Sequence, residues 1–228
     1  MIDVISVENM RLSDQRTIES GTPGTVLMKR AATGIYLASD RWQSAHRITI
    51  VTGSGNNGGD GFALAVILHE NGISSRILTL SDRTTPDAGF YKEKCVELGI
   101  ELLPFSPSLL SGSDLIADCI LGTGFAGVPR DNVRCAIEEI NSLRQNGSYV
   151  ISADINSGMN GDTGDFSCAV NSDLTVAIGS LKKGQITDSA LSITGSIKVA
   201  EIGIPPVFKE DEIDASEYGI EVIDLSDR

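Results

Sequence analysis

Short apolar, β-branched runs alternate with amphipathic stretches along most of this 228-residue chain. The first run is Arg47–Thr52. Others follow at Ser75–Leu80, Asp114–Leu121, Tyr149–Asp154, Asp173–Ile178 and Ser196–Ile202, with a short last one at Ile220–Ile223. Runs of this length, bounded by Gly, Asn, Asp and Ser, predict buried strands. Between them Phe62–Glu70, Pro86–Leu98 and Asp131–Arg144 carry helical spacing, and Gly99 stands where the second of these should end. Two more helices precede the first strand. Residues 7–19 begin behind Ser6 as cap, with Glu8 in the opening turn. Residues 24–40 begin behind Thr22 as cap and Pro23 at the first helical position, and they align Met28, Ala31, Ala32 and Ile35 on a face widened by Leu27 and Ala38. This order predicts an α/β fold in one domain, with a mostly parallel central sheet covered on both faces. A helical arm (1–45) precedes the α/β core (46–206), and a tail (207–228) follows it.

The residues that break the pattern fall at predicted strand ends, where open α/β sheets bind ligands. After the first strand, Gly53, Gly55 and Gly58 satisfy G-x-G-x-x-G, but Asn56, Asn57 and Asp60 fill the loop with polar side chains that a dinucleotide turn does not usually carry. Glycine lets the backbone close on a ligand there. Asp118 is a carboxylate inside an apolar strand, costly unless paired, cation-bound or hydrogen-bonded to loop amides. A second glycine-rich loop, Gly122–Pro129, follows it. Asp154 and Ser157 close the fourth strand, either as a site or as a plain hydrogen-bonded turn. Lys182 follows the fifth and reads more simply as a solvated loop lysine. Asp82, near the end of the second strand, reads equally as a ribose-binding acid or a turn residue.

Composition narrows the chemistry. The net charge of −13, from 18 basic and 31 acidic residues, argues against nucleic acid or an anionic membrane surface as the main partner. An anionic ligand can still meet backbone N–H groups at a helix N-terminus. The four cysteines are widely spaced with no C-x-x-C, which gives neither a zinc site nor a disulfide framework and makes the cytoplasm the default compartment. Cys119 reads as a small core residue. Only two histidines occur, His46 and His69, both at element ends, so acid–base work falls to carboxylates, Lys or Tyr. No basic leader segment or membrane-spanning apolar run is present. No Gly-Lys-Ser/Thr follows the first glycine loop, so it is no P-loop. Oxygens of Asn57, Asp118 and Ser157 are candidates for a hard, weakly held cation. Asp154, beside a glycine turn, is the best general acid/base, since desolvation would suit it to proton transfer.

The strings GSGNNGGDGF, DCILGTGFAGVPR, ADINSGMNGDTG, LKKGQ and VAEIGIPP, with MRLSDQRTIESG and LMKRAA before them, resemble in order the motifs of the NAD(P)H-hydrate epimerase family, the YjeF N-terminal domain. The resemblance spans roughly residues 8 to 206. It implies a three-layer α/β/α Rossmann-like fold, a homodimer, and interconversion of the R and S forms of hydrated NADH and NADPH (NADHX and NADPHX). It implies that Asn56, Asn57, Gly58, Gly59 and Asp60, with Gly122, Thr123, Gly124, Phe125, Ala126, Gly127 and Val128, line the substrate. Asp154 would contact it near the reacting carbon. Asn57, Asp118 and Ser157 match the family's potassium ligands, and Lys182 matches a family lysine.

The chain departs from the family pattern at three places. Asn156 stands where the family's Asp-[Ile/Val]-Pro-Ser-Gly has Pro, an expected loosening of the turn that bears Asp154 and Ser157. Lys29 stands where Glu is commoner, and Leu181 where Pro often precedes the lysine. The dehydratase half fused in many bacterial members does not follow, so a separate dehydratase, or a truncated chain, is expected. Two other readings stand beside this one: a catalytically silent nucleotide- or protein-binding scaffold of the same fold, and a dinucleotide oxidoreductase using Gly53, Gly55, Gly58 and Asp82.

Overall fold

The computed structural model describes residues 1–226, leaving the last two positions of the tail outside the description. In chain order the elements are β1 (Ile2–Ile5), α1 (Val7–Glu19), α2 (Gly24–Leu37), α3 (Arg41–Ser44), β2 (Ile48–Thr52), α4 (Asn56–Glu70), β3 (Ser75–Thr79), α5 (Pro86–Glu97), β4 (Glu101–Pro104) and α6 (Pro107–Leu110). They continue with β5 (Leu115–Cys119), α7 (Asp131–Gln145), β6 (Tyr149–Ala153), β7 (Leu174–Ile178), β8 (Leu181–Lys182), α8 (Asp188–Leu191), β9 (Ser196–Glu201), β10 (Asp211–Ile213) and β11 (Glu221–Asp224).

The main sheet has eight strands in the order β11-β9-β7-β6-β5-β2-β3-β4, and every neighbouring pair is parallel. The chain winds outward from β2 to β4, then crosses back to β5 and winds the other way. The reversal lies between β2 and β5, which pair through Ile48↔Leu115 to Thr52↔Cys119. Alternation along the strands builds the layers. Ile50, Ile77, Ala117 and Ile151 pack with α2, α4 and α5, while their neighbours Val51, Leu78, Ile116 and Val150 pack with α6 and α7 on the other face. Helices on both faces of a parallel sheet give the three-layer α/β/α architecture.

The differences from the sequence reading are local. Ser6 caps α1 as expected, accepting from the Asn9 amide. Pro23, not Thr22, is the cap residue of α2, which ends at Leu37. Helix α4 begins at Asn56, six residues ahead of Phe62, so the asparagines and glycines of the first loop are its opening turns. The arm starts with a strand, β1, which pairs antiparallel with β10 and parallel with β8 in a separate three-stranded sheet. Strands of two to four residues have no periodicity to read, and only tertiary pairing makes them. Edge strand β4 was missed for the same reason, its four residues half-buried or exposed. His46, His69 and Asp82 are exposed, and Cys119 is fully buried. Among the described residues, no helix is long and apolar enough to cross a membrane.

One carboxylate ties the arm to the end of the chain. Glu210 accepts from Ser6 Oγ at 2.8 Å and Asn9 Nδ2 at 2.9 Å, and pairs with Lys183 Nζ at 2.6 Å. The Lys183 bond, aided by those from Ser6 and Asn9, holds its pKa down to about 2. An ordinary Glu titrates near pH 4.3, so between these values the unfolded chain binds more protons and stability rises with pH. The Glu210 contribution is therefore complete above about pH 4.3 and fades as pH falls toward about 2. Acid unfolding followed by circular dichroism should show this loss, and Glu210→Gln should be less stable at pH 7 and flatter across that window.

Candidate functional site

Two loops meet where the sheet reverses. The Gly53 amide donates to the Cys119 carbonyl at 3.1 Å, and a Cβ on Gly53 would stand 1.9 Å from the Ile120 carbonyl oxygen. The start of α4 folds back on the same point, for a Cβ on Gly58 would stand 2.3 Å from the Gly53 carbonyl oxygen. Neither approach tolerates a side chain, because backbone lies opposite each. The cap residue of α4, Gly55, supplies no side-chain acceptor, so the first amides of the helix are available to an anionic ligand.

Behind this helix start, oxygen atoms converge. Asn57 is buried, and its Nδ2 donates to the Leu121 carbonyl at 2.8 Å. Among the described residues, its Oδ1 is buried without a hydrogen-bond partner. Ser157 Oγ donates to Asp118 Oδ1 at 2.5 Å and accepts from the Leu121 amide at 2.9 Å. Asp118 also accepts from the Ile120 and Ser157 amides and from Ser152 Oγ. Burial raises the Asp118 pKa, and these donated bonds oppose the rise. Asn57, the Leu121 carbonyl, Asp118 and Ser157 thus form an all-oxygen set with one formal negative charge. Such a set suits a hard, weakly held cation, and the unpartnered Asn57 oxygen is the atom that most needs one.

Asp154 follows β6 with φ +63°, in the left-handed region that non-glycine residues seldom adopt. Its neighbours hold it there. The amide donates to the Val176 carbonyl at 2.8 Å, and the carbonyl accepts from Gln185 Nε2 at 2.7 Å. Oδ1 accepts from the Lys182 ammonium and from the Ile178 amide. Among the described residues nothing donates to Oδ2, which stands 3.9 Å from where a Gly122 Cβ would lie. Lys182 is therefore not a solvated loop lysine. It is fully buried, with its ammonium shared between Asp154 and the Ile178 carbonyl. A lysine so placed needs a counter-charge, and the carboxylate supplies it. Gln185, also fully buried, accepts from the Lys182 amide at 2.9 Å and so couples the two loops.

Two adjoining cavities open above these residues. One, of about 510 Å³, lies along Ser54–Asn57 and Gly122–Phe125. The other, of about 220 Å³, lies under α1 and α2, with Met10, Leu27 and Met28 among its apolar walls. Asn56, Asp60, Thr123 and Asp154 line both. Desolvation, with help from Asp154 and Asp14, pushes the Asp60 pKa well above the usual carboxylate value, and Lys182 pulls the other way. Asp14, contributed by α1, shifts upward for the same leading reason.

Of the residues expected to line a ligand, Asn56, Asn57, Asp60, Gly122–Phe125 and Asp154 share this cleft. Gly58 and Gly59 face protein instead, toward the Gly53 carbonyl and toward Met28 and Ala88. Ala126, Gly127 and Val128 line a separate hollow with Phe166, reached also by Phe125. Asp14, Gln185 and the Leu121 carbonyl were not anticipated. The first two look like ordinary polar residues in sequence, and a backbone oxygen leaves no sequence signal. The turn containing Asn156 is not loosened. Asn156 is fully buried, its Nδ2 donates to Val170 O, Ser172 Oγ and Ile193 O, and its Oδ1 accepts from Thr175 Oγ1 at 2.9 Å.

Known proteins bear on this cleft. The family model for the YjeF-related protein N-terminus matches residues 24–184. The NAD(P)H-hydrate epimerase of Limosilactobacillus fermentum is 34% identical over 202 residues, covering 86% of this chain and 95% of that protein. The bifunctional NAD(P)H-hydrate repair enzyme Nnr of Coxiella burnetii is 34% identical over 206 residues, but the chain spans only 41% of its length. The crystal structure of yeast ynu0 superposes with a TM-score of 0.77, covering 95% of this chain and 98% of that one at 19% identity, a likeness of fold.

Replacing Asn156 with Ala would leave the Val170 and Ile193 carbonyls without this donor and remove one of the acceptors of Thr175, which keeps the Thr194 carbonyl. Urea denaturation should show a loss of about 3 kcal/mol.

Proposed function

The chain belongs to the YjeF-related N-terminal family, and we propose that it interconverts the R and S forms of hydrated NADH and NADPH, the epimerase step of nicotinamide nucleotide repair. The observation that carries this reading is the asymmetry of Asp154. One oxygen is fixed by Lys182 and the Ile178 amide, and the other faces the cleft without a donor. A carboxylate held in that way can exchange a proton with a bound molecule while its own position stays set.

The α4 N-terminus and the Gly122–Phe125 loop would hold the anionic part of the nucleotide through backbone amides. The apolar walls under α1 and α2 would take the reduced ring. Its hydroxyl-bearing carbon is bonded to the ring nitrogen, whose lone pair can assist departure of the hydroxyl. Asp154 would move the proton, and readdition from the opposite face would give the epimer. Asn57, Asp118, Ser157 and the Leu121 carbonyl would hold a potassium ion, whose charge orders the two loops and adds no redox chemistry. Exposed apolar side chains of α5 and the residue after it, Phe90, Val96 and Leu98, offer surface for a homodimer. Dehydration of the S form would be the next step of the repair, and both steps would take place in the cytoplasm.

The test is interconversion of purified R and S hydrates of NADPH, followed by chromatography with and without potassium. Wild-type protein should exceed the spontaneous rate, and failure to do so overturns the proposal. Asp154→Asn should lower kcat by at least about 100-fold in the fraction that circular dichroism shows to be folded, and it should also lower stability, because Lys182 loses its counter-charge. Asn57→Ala should raise the potassium concentration needed for half-maximal rate.

A further inference from the structure

Resting on the epimerase reading of this cleft, we propose that Asp60 is the acid of the reaction and gives its proton to the departing hydroxyl, while Asp154, paired with Lys182, takes a proton from the incoming water. Both residues line both cavities, so they border one cleft from opposite elements, α4 and the loop after β6. Their surroundings are opposite. Asp154 has the buried Lys182 ammonium and a strand amide on one oxygen. Among the described residues, no hydrogen-bond donor reaches the Asp60 carboxyl, and the charges that act on it are chiefly other carboxylates.

The groups facing this volume come from every element around it. Asp14 enters from α1, Asp87 from α5, Asp154 from the loop after β6 and Lys182 from β8. Arg11 lines the same cavity but is committed at its exposed rim to Glu8, at 2.7 Å. Lys182, already shared by Asp154 and the Ile178 carbonyl, is the cation that opposes protonation of Asp60. Desolvation and like charge outweigh it, and the Asp60 pKa stands well above the usual carboxylate value. Two carboxyl groups with environments that push them apart divide into an acid and a base.

The step balances without a further reactant. The carbon–oxygen bond breaks and its electron pair leaves with the oxygen, which takes the Asp60 proton and departs as water. The ring nitrogen's lone pair forms the carbon–nitrogen double bond, and the positive charge rests on the ring among carboxylates. Water then adds at the opposite face. Its oxygen bonds to carbon, the double-bond pair returns to nitrogen, and its proton goes to Asp154. Asp60 is left ionised and Asp154 protonated, a state that serves the reverse reaction with the roles exchanged. Proton exchange with solvent restores the first state.

The experiment compares wild-type protein with Asp60→Asn and Asp60→Glu, measuring kcat in both directions against pH and the binding of NADPH by fluorescence. Wild-type kcat should fall at alkaline pH as Asp60 loses its proton. Asp60→Asn should lose at least about 100-fold in kcat in both directions and lack that alkaline fall, with NADPH affinity within about twofold. Asp60→Glu should recover part of kcat together with the alkaline fall. The proposal is overturned if Asp60→Asn keeps wild-type kcat, if its residual activity keeps the alkaline fall, or if NADPH binding is lost and Glu restores nothing. A wild-type protein with no interconversion above the spontaneous rate would sink the epimerase reading and this one with it, whereas active wild-type and active Asp60→Asn would sink this one alone.

Discussion

The contact between the ends of β2 and β5 is the constraint from which the site follows. At Gly53 the backbone of one loop lies where a side chain would be, against the Ile120 carbonyl, and α4 then turns back onto Gly53 itself. That closeness brings the α4 amides, the Leu121 carbonyl and the buried Asp118 to one place at the reversal of the sheet. Open α/β sheets leave a crevice at such a reversal. Here it is floored by two glycine-bearing loops, and neither can withdraw without breaking the ladder that joins their strands.

The second organising fact is the distribution of charge inside that crevice. A single fully buried ammonium, that of Lys182, stands among several carboxylates and is matched to one of them. The match fixes Asp154 in a backbone conformation that its sequence alone would not favour, and strained geometry of that sort collects at functional sites. The carboxylates left over are what make the cleft chemically uneven. One wall is apolar, one is rich in acid, and the mouth near α4 offers backbone amides.

Much of this was legible in the sequence, for physical reasons that differ from element to element. The central strands are apolar on both faces, so their runs stand out, and Ser6 and Gly99 announced helix boundaries through local chemistry alone. Asp118 was visible as a charge out of place, and Asn57 and Ser157 as polar residues at strand ends. Lys182 was misread because a lysine in a short polar loop gives no sign of burial, which depends on a carboxylate nearly thirty positions away. Asn156 was misread because its strength comes from Thr175 and from the carbonyls of Val170 and Ile193, none of which a local pattern reveals. The three-stranded side sheet was missed because its strands exist only through one another.

That side sheet and the Glu210 tie have a bearing on the order in which the molecule is made. The long-range partners described for residues 2–13 lie late in the chain: β1 on β8 and β10, the Val7 amide on Asp162 at 2.8 Å, Asn9 on the Phe208 carbonyl at 2.7 Å, and Ser13 on the Val207 amide at 2.9 Å. Synthesis proceeds from the N-terminus. Residues 2–13 therefore leave the ribosome ahead of these partners and are among the last parts of the fold to find their place. The apolar and acidic wall that α1 lends to the cleft is set only after the sheet beneath it has closed, so a nascent chain holds its glycine loops well before it has a finished site.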